Sequence, residues 1–233
     1  MNNKRLNLLR RLDRFLESVL MMLLILVVLL AGYSAYDATR MLQEAKDPSL
    51  RNYRPGDSEE IVEDHRINEE QIAWLRLEGT PVDAPIMQAE NNFKYLNTDP
   101  YGEFSMSGSL FLDCRNLADF SDPYSIIYGH HMENDGMFGA LDPYRDPEYI
   151  LEHQEGTIST TENVYHFHIF CVTEADARET NLFSPSSRET VVARIQETPL
   201  FYEEPDDGQI VALTTCVGAA DTRRLMVVGT IAE

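Results

Sequence analysis

Cysteine and positive charge are both scarce in this chain of 233 residues. The three cysteines, Cys114, Cys171 and Cys216, are too few for a disulfide framework, and their odd number leaves at least one thiol free. The 19 basic residues are outnumbered by 39 acidic ones, and the resulting net charge of −20 argues against binding to nucleic acid. No internal repeat or low-complexity segment is present, so the chain is not an array of repeated units.

Apolar residues, by contrast, make up 43% of the chain, which is enough for a proper hydrophobic core. The length suits one domain with appendages. Basic residues are unevenly placed, because five of them lie in the first 14 positions, at Lys4, Arg5, Arg10, Arg11 and Arg14. Asp13 is the only acidic residue among them.

An uncharged apolar run, Val19–Ala35, follows this basic cluster. Its 17 residues would form a helix of roughly 26 Å, near the lower limit for spanning a bilayer core. Tyr33 and Tyr36 lie at its far end, where an aromatic belt is expected. The positive-inside rule then places the N-terminus in the cytoplasm and the chain after Tyr36 outside. We predict a retained anchor. A signal peptide cleaved near Gly32–Ser34 is the alternative, and it also places the rest outside.

After the anchor, residues 37–70 are polar, and we predict a stalk with helical pieces, one of them with Ser58 at its N-cap. From residue 71 onwards the chain is rich in short strands, predicted over residues 72–77, 84–88, 109–114, 124–130, 157–160, 164–172, 209–216 and 225–228. One helix is predicted over Ser187–Thr198. This pattern predicts a mostly β fold, a closed or nearly closed barrel. The chain is therefore divided into a basic tail (1–17), a transmembrane anchor (18–36), a stalk (37–70) and a barrel (71–233).

The last two predicted strands carry the residues on which the functional prediction depends. Cys216 ends the first of them, and Arg223 and Arg224 begin the second. Because a short loop joins these strands as a hairpin, the thiol and a guanidinium are expected in one neighbourhood. His130 and His131 end another predicted strand and can supply a base.

A cysteine, a histidine and an arginine together suit acyl transfer. The thiolate is the nucleophile, and a neighbouring imidazole can take up its proton and later give a proton to a leaving amine. Because the two groups interact, their titrations are coupled. Attack on an amide creates a tetrahedral oxyanion, which the planar, charged fork of an arginine stabilises well.

Several motifs resemble those of one family, the sortases of Gram-positive bacteria. They are Leu213-Thr214-Thr215-Cys216 with a downstream arginine, and Tyr128-Gly129-His130-His131-Met132 followed by Met137-Phe138. The segment Gly108–Asn116 is most similar to class B members, and the resemblance covers roughly residues 72–232. It implies an eight-stranded β-barrel with extra N-terminal helices and one long helix before the cysteine strand, which matches Ser187–Thr198.

The resemblance also implies a role for each candidate residue. Cys216 is the nucleophile, His130 the acid and base, and Arg224 the group that stabilises the oxyanion and substrate. His130 is preferred to His131 because the family's histidine directly follows the glycine. Arg224 is preferred to Arg223 because the family's arginine directly precedes the apolar strand. The residues predicted to line the substrate are Thr214, Thr215 and His131.

Other residues with reactive side chains are given structural roles. His166 and His168 alternate on one strand face and could form a metal pair, but no third ligand is nearby in sequence, so we predict no metal. Cys114 and Cys171 are predicted to be buried or half-buried thiols, with a disulfide between them as the alternative. The chain departs from the family pattern at Ala212, where sortases have threonine, and we expect modest consequences.

The function implied is that of a membrane-anchored cysteine transpeptidase without a cofactor. It would cleave a sorting motif near the C-terminus of a secreted protein, form a thioester on Cys216 and transfer the acyl group to an amine. That amine belongs to a peptidoglycan precursor of the cell wall or to a pilin lysine. One alternative is a papain-like thiol hydrolase, whose Cys-Gly-Ser-Cys-Trp-like context is absent here. The other is a catalytically silent anchored binding module.

Overall fold

The computed structural model describes residues 3–44, 48–54, 66–132, 135–216 and 222–232, and the chain divides into two compact units, residues 1–43 and 44–233. The helix predicted with Ser58 as its N-cap lies outside the described residues. The first unit is formed by one helix, α1 (Asn3–Glu44). Its stretch Arg10–Tyr36 is 27 residues long and contains an 18-residue window with a mean hydropathy of 2.6. By length and composition, this helix could cross a membrane.

The second unit is built on nine strands in its described part, and eight of them close into a barrel. They are β1 (Gln71–Leu77), β2 (Asp83–Met87), β3 (Leu110–Leu112), β4 (Tyr124–His130), β5 (Glu155–Ser159), β6 (Val164–Asp176), β7 (Pro199–Tyr202), β8 (Gln209–Cys216) and β9 (Arg223–Ala232). The order around the barrel is β5-β1-β2-β3-β4-β8-β9-β6, and pairing of β6 with β5 closes the ring. β7 lies beside the second half of β6. The predicted eight-stranded, mostly β barrel is therefore confirmed.

The two larger hydrophobic cores lie on opposite faces of the barrel wall. The interior core is formed by inward-facing residues such as Leu75, Ile86, Leu110, Ile127, Phe138, Phe167, Val211, Leu213, Leu225 and Val227. The outer core covers one face of β4, β8 and β9 and includes Tyr124, Ile126, Val191, Ile195, Ile210, Ala212, Met226 and Val228. These central strands are therefore buried on both faces, which explains why they read as continuous apolar runs.

Short helices connect the strands. They are α2 (Pro147–Glu152), α3 (Arg188–Ile195) and the 3₁₀ helices Pro48–Tyr53, Lys94–Leu96 and Phe138–Arg145. α3 begins where predicted, because the Ser187 side chain accepts a hydrogen bond from the Thr190 N–H as an N-cap. It ends three residues earlier than predicted, because the chain then enters β7 and pairs with β6. β7 was not predicted, because its four residues show little alternation of apolar and polar side chains.

Candidate active site

The parallel pairing of β4 with β8 places a histidine opposite the strand-end cysteine. The register runs without a break from Tyr124 opposite Ile210 to His130 opposite Cys216. Paired residues of neighbouring strands lie on the order of 5 Å apart. Both strands end at this pair. The fold thus brings together two residues that are far apart in the sequence.

An arginine approaches the same pair from the other side of β8. The antiparallel register of β8 and β9 extends to Thr214 opposite Met226, and two residues beyond these positions are Cys216 and Arg224. Nη1 of Arg224 donates a hydrogen bond of 3.4 Å to the Thr215 carbonyl oxygen. The guanidinium of Arg224 is therefore held against the residue that precedes Cys216.

The alternation of side chains assigns the three positions to one face of the sheet. Ile127, Leu213 and Leu225 belong to the interior core, and Ile126, Ala212 and Met226 belong to the outer core. Positions 130, 216 and 224 lie an even number of residues from the outer-core residues of their strands, so they fall on the outer face. Positions 131 and 223 have the opposite parity, so the paired histidines and paired arginines are not equivalent.

The ring of His130 is fixed by a backbone carbonyl. Its Nε2 donates a hydrogen bond of 2.6 Å to the carbonyl oxygen of Leu96. Because a carbonyl oxygen only accepts, Nε2 carries the proton, and in the neutral ring Nδ1 is the acceptor nitrogen. The sequence contained no signal for this partner, since a backbone carbonyl in a 3₁₀ turn has no motif.

The segment that carries the Leu96 carbonyl is itself held in place. Tyr95 is buried and its hydroxyl donates a hydrogen bond of 2.6 Å to Glu70, while burial and this bond raise the Tyr95 pKa. Gly108, at φ 59°, packs so closely that a Cβ there would lie 2.4 Å from the Tyr95 carbonyl oxygen. A side chain at position 108 would therefore displace the turn that holds His130.

Close packing beneath His130 explains a second part of the sequence pattern. A Cβ at Gly129 would lie 2.5 Å from Leu110 Cδ2 and 2.6 Å from Phe138 Cδ2. The Phe138 ring is fully buried in the interior core. The glycine before the histidine and the Met137-Phe138 pair downstream therefore belong to one packing unit, although five residues separate His131 from Met137.

A buried carboxylate supports β4 from the outer side. Asp113 accepts bonds of 2.8 and 2.6 Å from the Arg115 guanidinium, 3.1 Å from the Tyr128 hydroxyl and 3.0 Å from Asn92. Burial raises the Asp113 pKa, but the hydrogen bonds and charge of Arg115 outweigh burial, and the pKa lies below its ordinary value. Asp113 therefore remains ionised and anchors Tyr128, two residues before His130.

The two threonines predicted to line the substrate are both buried. The Thr215 hydroxyl accepts a hydrogen bond of 3.3 Å from the Leu225 N–H and so ties β8 to β9. The Thr214 hydroxyl has no hydrogen-bond partner among the described residues. In this conformation neither side chain offers surface to a ligand, and their substrate contact remains a prediction.

The remaining candidates have partners elsewhere. His166 and His168 both contact the Glu155 carboxylate, at 3.2 and 2.8 Å, and no group of three potential ligands arranged to hold a metal is found among the described residues. Cys114 and Cys171 are free thiols, not a disulfide. Burial raises the Cys171 pKa to about 12.

The second histidine and the second arginine each contact a carboxylate that the sequence did not single out. His131 contacts Asp142, and Arg223 contacts Glu174.

Comparison with known proteins gives a consistent result. The sortase domain model matches residues 75–232. Sortase B of Listeria monocytogenes is 27% identical over 178 residues, which are 73% of this chain and 72% of the relative. Among solved structures, a Streptococcus pyogenes class B sortase involved in pilus biogenesis is 38% identical, covers 71% of this chain and 94% of its own, and has a TM-score of 0.66. The sortase B–substrate complex of Staphylococcus aureus has a TM-score of 0.67 at 22% identity, covering 87% of this chain and 95% of its own. The chain therefore belongs to the sortase family of cysteine transpeptidases, and within that family to class B.

Proposed function

We propose that this sortase cleaves a C-terminal sorting motif of a secreted protein with Cys216 as nucleophile and transfers the acyl group to an amine. The observation that carries the proposal is the register of β4 and β8, which pairs His130 with Cys216 at the ends of two parallel strands. A papain-like hydrolase normally has its nucleophile at the start of a helix, whereas Cys216 ends a strand. A silent binding module would not need a histidine with its tautomer fixed at the strand position that pairs with a cysteine.

In the proposed mechanism the Cys216 thiol loses its proton to His130. Because Nε2 of His130 is bound to the Leu96 carbonyl oxygen, the proton is taken up at Nδ1. The thiolate attacks the scissile carbonyl carbon, and the guanidinium of Arg224 stabilises the oxyanion. Collapse breaks the C–N bond, His130 returns the proton to the leaving amine, and a thioester remains on Cys216. An incoming amine then loses a proton to His130 as it displaces the thiolate.

We propose a pilin lysine as the acceptor. The support is the relative that is 38% identical, which is described as a class B sortase involved in pilus biogenesis. The rival acceptor is the amine of a peptidoglycan precursor. Both are primary amines that attack the same thioester, so the catalytic residues have the same roles in either case.

We further propose that α1 is a retained membrane anchor. Five basic residues precede the uncharged run Val19–Ala35, and by the positive-inside rule they support an N-terminus in the cytoplasm and a barrel outside. The division into tail (1–17), anchor (18–36), stalk (37–70) and barrel (71–233) follows from this topology. An extracellular barrel would meet secreted proteins at the surface where wall and pilus assembly take place.

The test is to trap the acyl-enzyme. The full chain in detergent is incubated with a library of sorting-motif peptides, and intact mass reveals the thioester adduct. Wild type and Cys114→Ala are expected to form it, and Cys216→Ala is not. An adduct on Cys216→Ala would contradict the assignment of Cys216 as the nucleophile. A lysine peptide and a peptidoglycan cross-bridge peptide are then added in separate reactions. The lysine peptide is expected to release the acyl group faster, as an isopeptide product. Faster release by the cross-bridge peptide would identify the wall precursor as the acceptor.

A further inference from the structure

A chain of three ion pairs, which ends in a histidine–carboxylate contact, runs along one side of the candidate site. Nε2 of His131 lies 2.6 Å from Oδ2 of Asp142, and Oδ1 of Asp142 lies 3.3 Å from Nη1 of Arg145. Nη2 of Arg145 lies 2.9 Å from Oε1 of Glu174, and Oε2 of Glu174 lies 3.6 Å from Nη1 of Arg223. Each inner residue thus uses separate atoms for its two neighbours, so all four contacts exist at once.

This ion-pair chain (His131, Asp142, Arg145, Glu174, Arg223) connects parts of the fold that the backbone does not pair. His131 follows β4, Asp142 and Arg145 lie in the 3₁₀ helix Phe138–Arg145, Glu174 is in β6, and Arg223 begins β9. β4 and β9 are not neighbours, because β8 lies between them. The ion-pair chain therefore spans β8 from one side to the other.

Both ends of the ion-pair chain adjoin a residue of the proposed mechanism. His131 directly follows His130, and Arg223 directly precedes Arg224. Because alternate residues of a strand face opposite ways, a side chain anchored at position 223 constrains the backbone that presents Arg224 on the other face. The same argument relates position 131 to His130, since His131 still forms a backbone bridge with Met137.

We propose that the ion-pair chain is a positioning device, which sets the separation of His130 and Arg224 across the strand that carries Cys216. The inference rests on the proposed function. It assigns a positioning role to His131 and Arg223, which take no part in the proposed proton transfer or oxyanion stabilisation, and the predicted substrate contact of His131 stays a separate prediction. His131, Asp142, Arg145, Glu174 and Arg223 are positioning residues in this account, and none of them touches the reacting atoms.

The energetics favour positioning over global stability. The five side chains are between 28% and 69% exposed. Exposed ion pairs contribute only about 0–1 kcal/mol each, whereas the barrel is held by backbone ladders and two cores. A small displacement of a catalytic group, however, lowers a rate steeply, by up to about 100-fold for 1 Å. Cutting the ion-pair chain should therefore change turnover more than it changes unfolding.

The experiment cuts the ion-pair chain at its centre and next to one end. Arg145→Gln, Glu174→Gln and the double variant are compared with wild type, using the fluorogenic peptide that the wild-type full chain cleaves best. We expect kcat to fall about 3- to 10-fold in each single variant with KM within about two-fold. The double variant should lose no more than the worse single variant, because either change already interrupts the connection. Arg145→Lys, which keeps the charge, should recover part of the lost kcat.

The matched control is Glu155→Gln. Glu155, in β5, also bridges two side chains, His166 and His168, and its β6 partner His168 lies about 20 Å from Glu174 along that strand. It should retain wild-type kcat. The positioning role is rejected if Arg145→Gln and Glu174→Gln match Glu155→Gln, if their losses multiply in the double variant, or if KM alone changes. An acyl-enzyme on Cys216→Ala would instead reject the proposed function, so the two failures are distinguishable.

Discussion

The carbonyl oxygen of Leu96 accepts a hydrogen bond from Nε2 of His130 at 2.6 Å, on the strand position that pairs with Cys216. This contact decides which ring nitrogen carries the proton, and it leaves Nδ1 for proton transfer. His131, one residue later, is bound to a carboxylate instead. The two adjacent histidines therefore have different partners, and their replacement should have different effects.

His130→Gln should lower kcat by about 1,000-fold or more, because an amide cannot accept the thiol proton. His131→Gln should lower kcat by no more than about 10-fold, since it loses the link to Asp142 but removes no proton-transfer group. Steady-state cleavage of the same peptide measures both. Equal losses in the two variants would contradict the assignment of His130 as the acid and base.

Arg224→Lys should lower kcat by about 100-fold while KM changes little, because lysine keeps the charge but lacks the planar fork. Arg223→Lys is the matched control and should remain within about three-fold of wild type, since a lysine can still pair with Glu174. If Arg223→Lys were the inactive variant, the proposed oxyanion group would be at position 223.

Gly129→Ala should destabilise the barrel by about 1–3 kcal/mol, because its Cβ would overlap Leu110 and Phe138. Urea unfolding measures the loss. Adding Phe138→Leu should return part of it, although Phe138→Leu alone is destabilising, so the two changes should be strongly non-additive. Additive losses would show that Gly129 and Phe138 do not share the predicted contact.

Asp113→Asn should cost about 2–3 kcal/mol at pH 7, because a buried ionised acceptor of Arg115 is lost. The Asp113 pKa is lowered in the folded state. Its contribution is therefore present above the unfolded pKa of about 3.9 and is lost as the pH falls through the lower folded value. Urea unfolding from pH 7 to pH 2.5 should show wild type converging on Asp113→Asn. Asp119→Asn, an exposed control, should lie much closer to wild type at pH 7.

Cys171 should resist alkylation in the native protein, because burial raises its pKa to about 12 and keeps the thiol protonated at pH 8. The Cys216→Ala variant should then accept at most one iodoacetamide label, on half-buried Cys114, and a second label only after unfolding. Intact mass counts the labels. Two native labels on this variant at pH 8 would contradict the burial of Cys171.

Much of the fold was predictable because strand signals are local. β4 and β8 were predicted with the observed bounds, since each is a short apolar run ended by a polar or reactive residue. α1 was predictable from its uncharged apolar core. β7 was missed, because four residues at the edge of β6 carry no distinct pattern. α3 ends earlier than predicted because the residues after it pair with β6, and this pairing outweighs the local preference for a helix.

The site was predictable only in part. Cys216, His130 and Arg224 were chosen from motifs and family likeness, and their common face follows from counting alternate residues. The Leu96 carbonyl, Asp142 and Glu174 were not found, because a backbone acceptor has no side chain to recognise and single carboxylates are common on an acidic chain. The side chains of Thr214 and Thr215 are buried, and their contact with substrate stays a prediction.

Composition and local periodicity are sufficient to predict the apolar N-terminal helix, the run of short strands and the types of side chain at three strand ends. Which strand ends meet, which nitrogen of His130 carries its proton and how His131 is connected to Arg223 depend on the folded barrel. Parallel pairing and side-chain contacts join residues far apart in the chain, and no local pattern specifies the register between them.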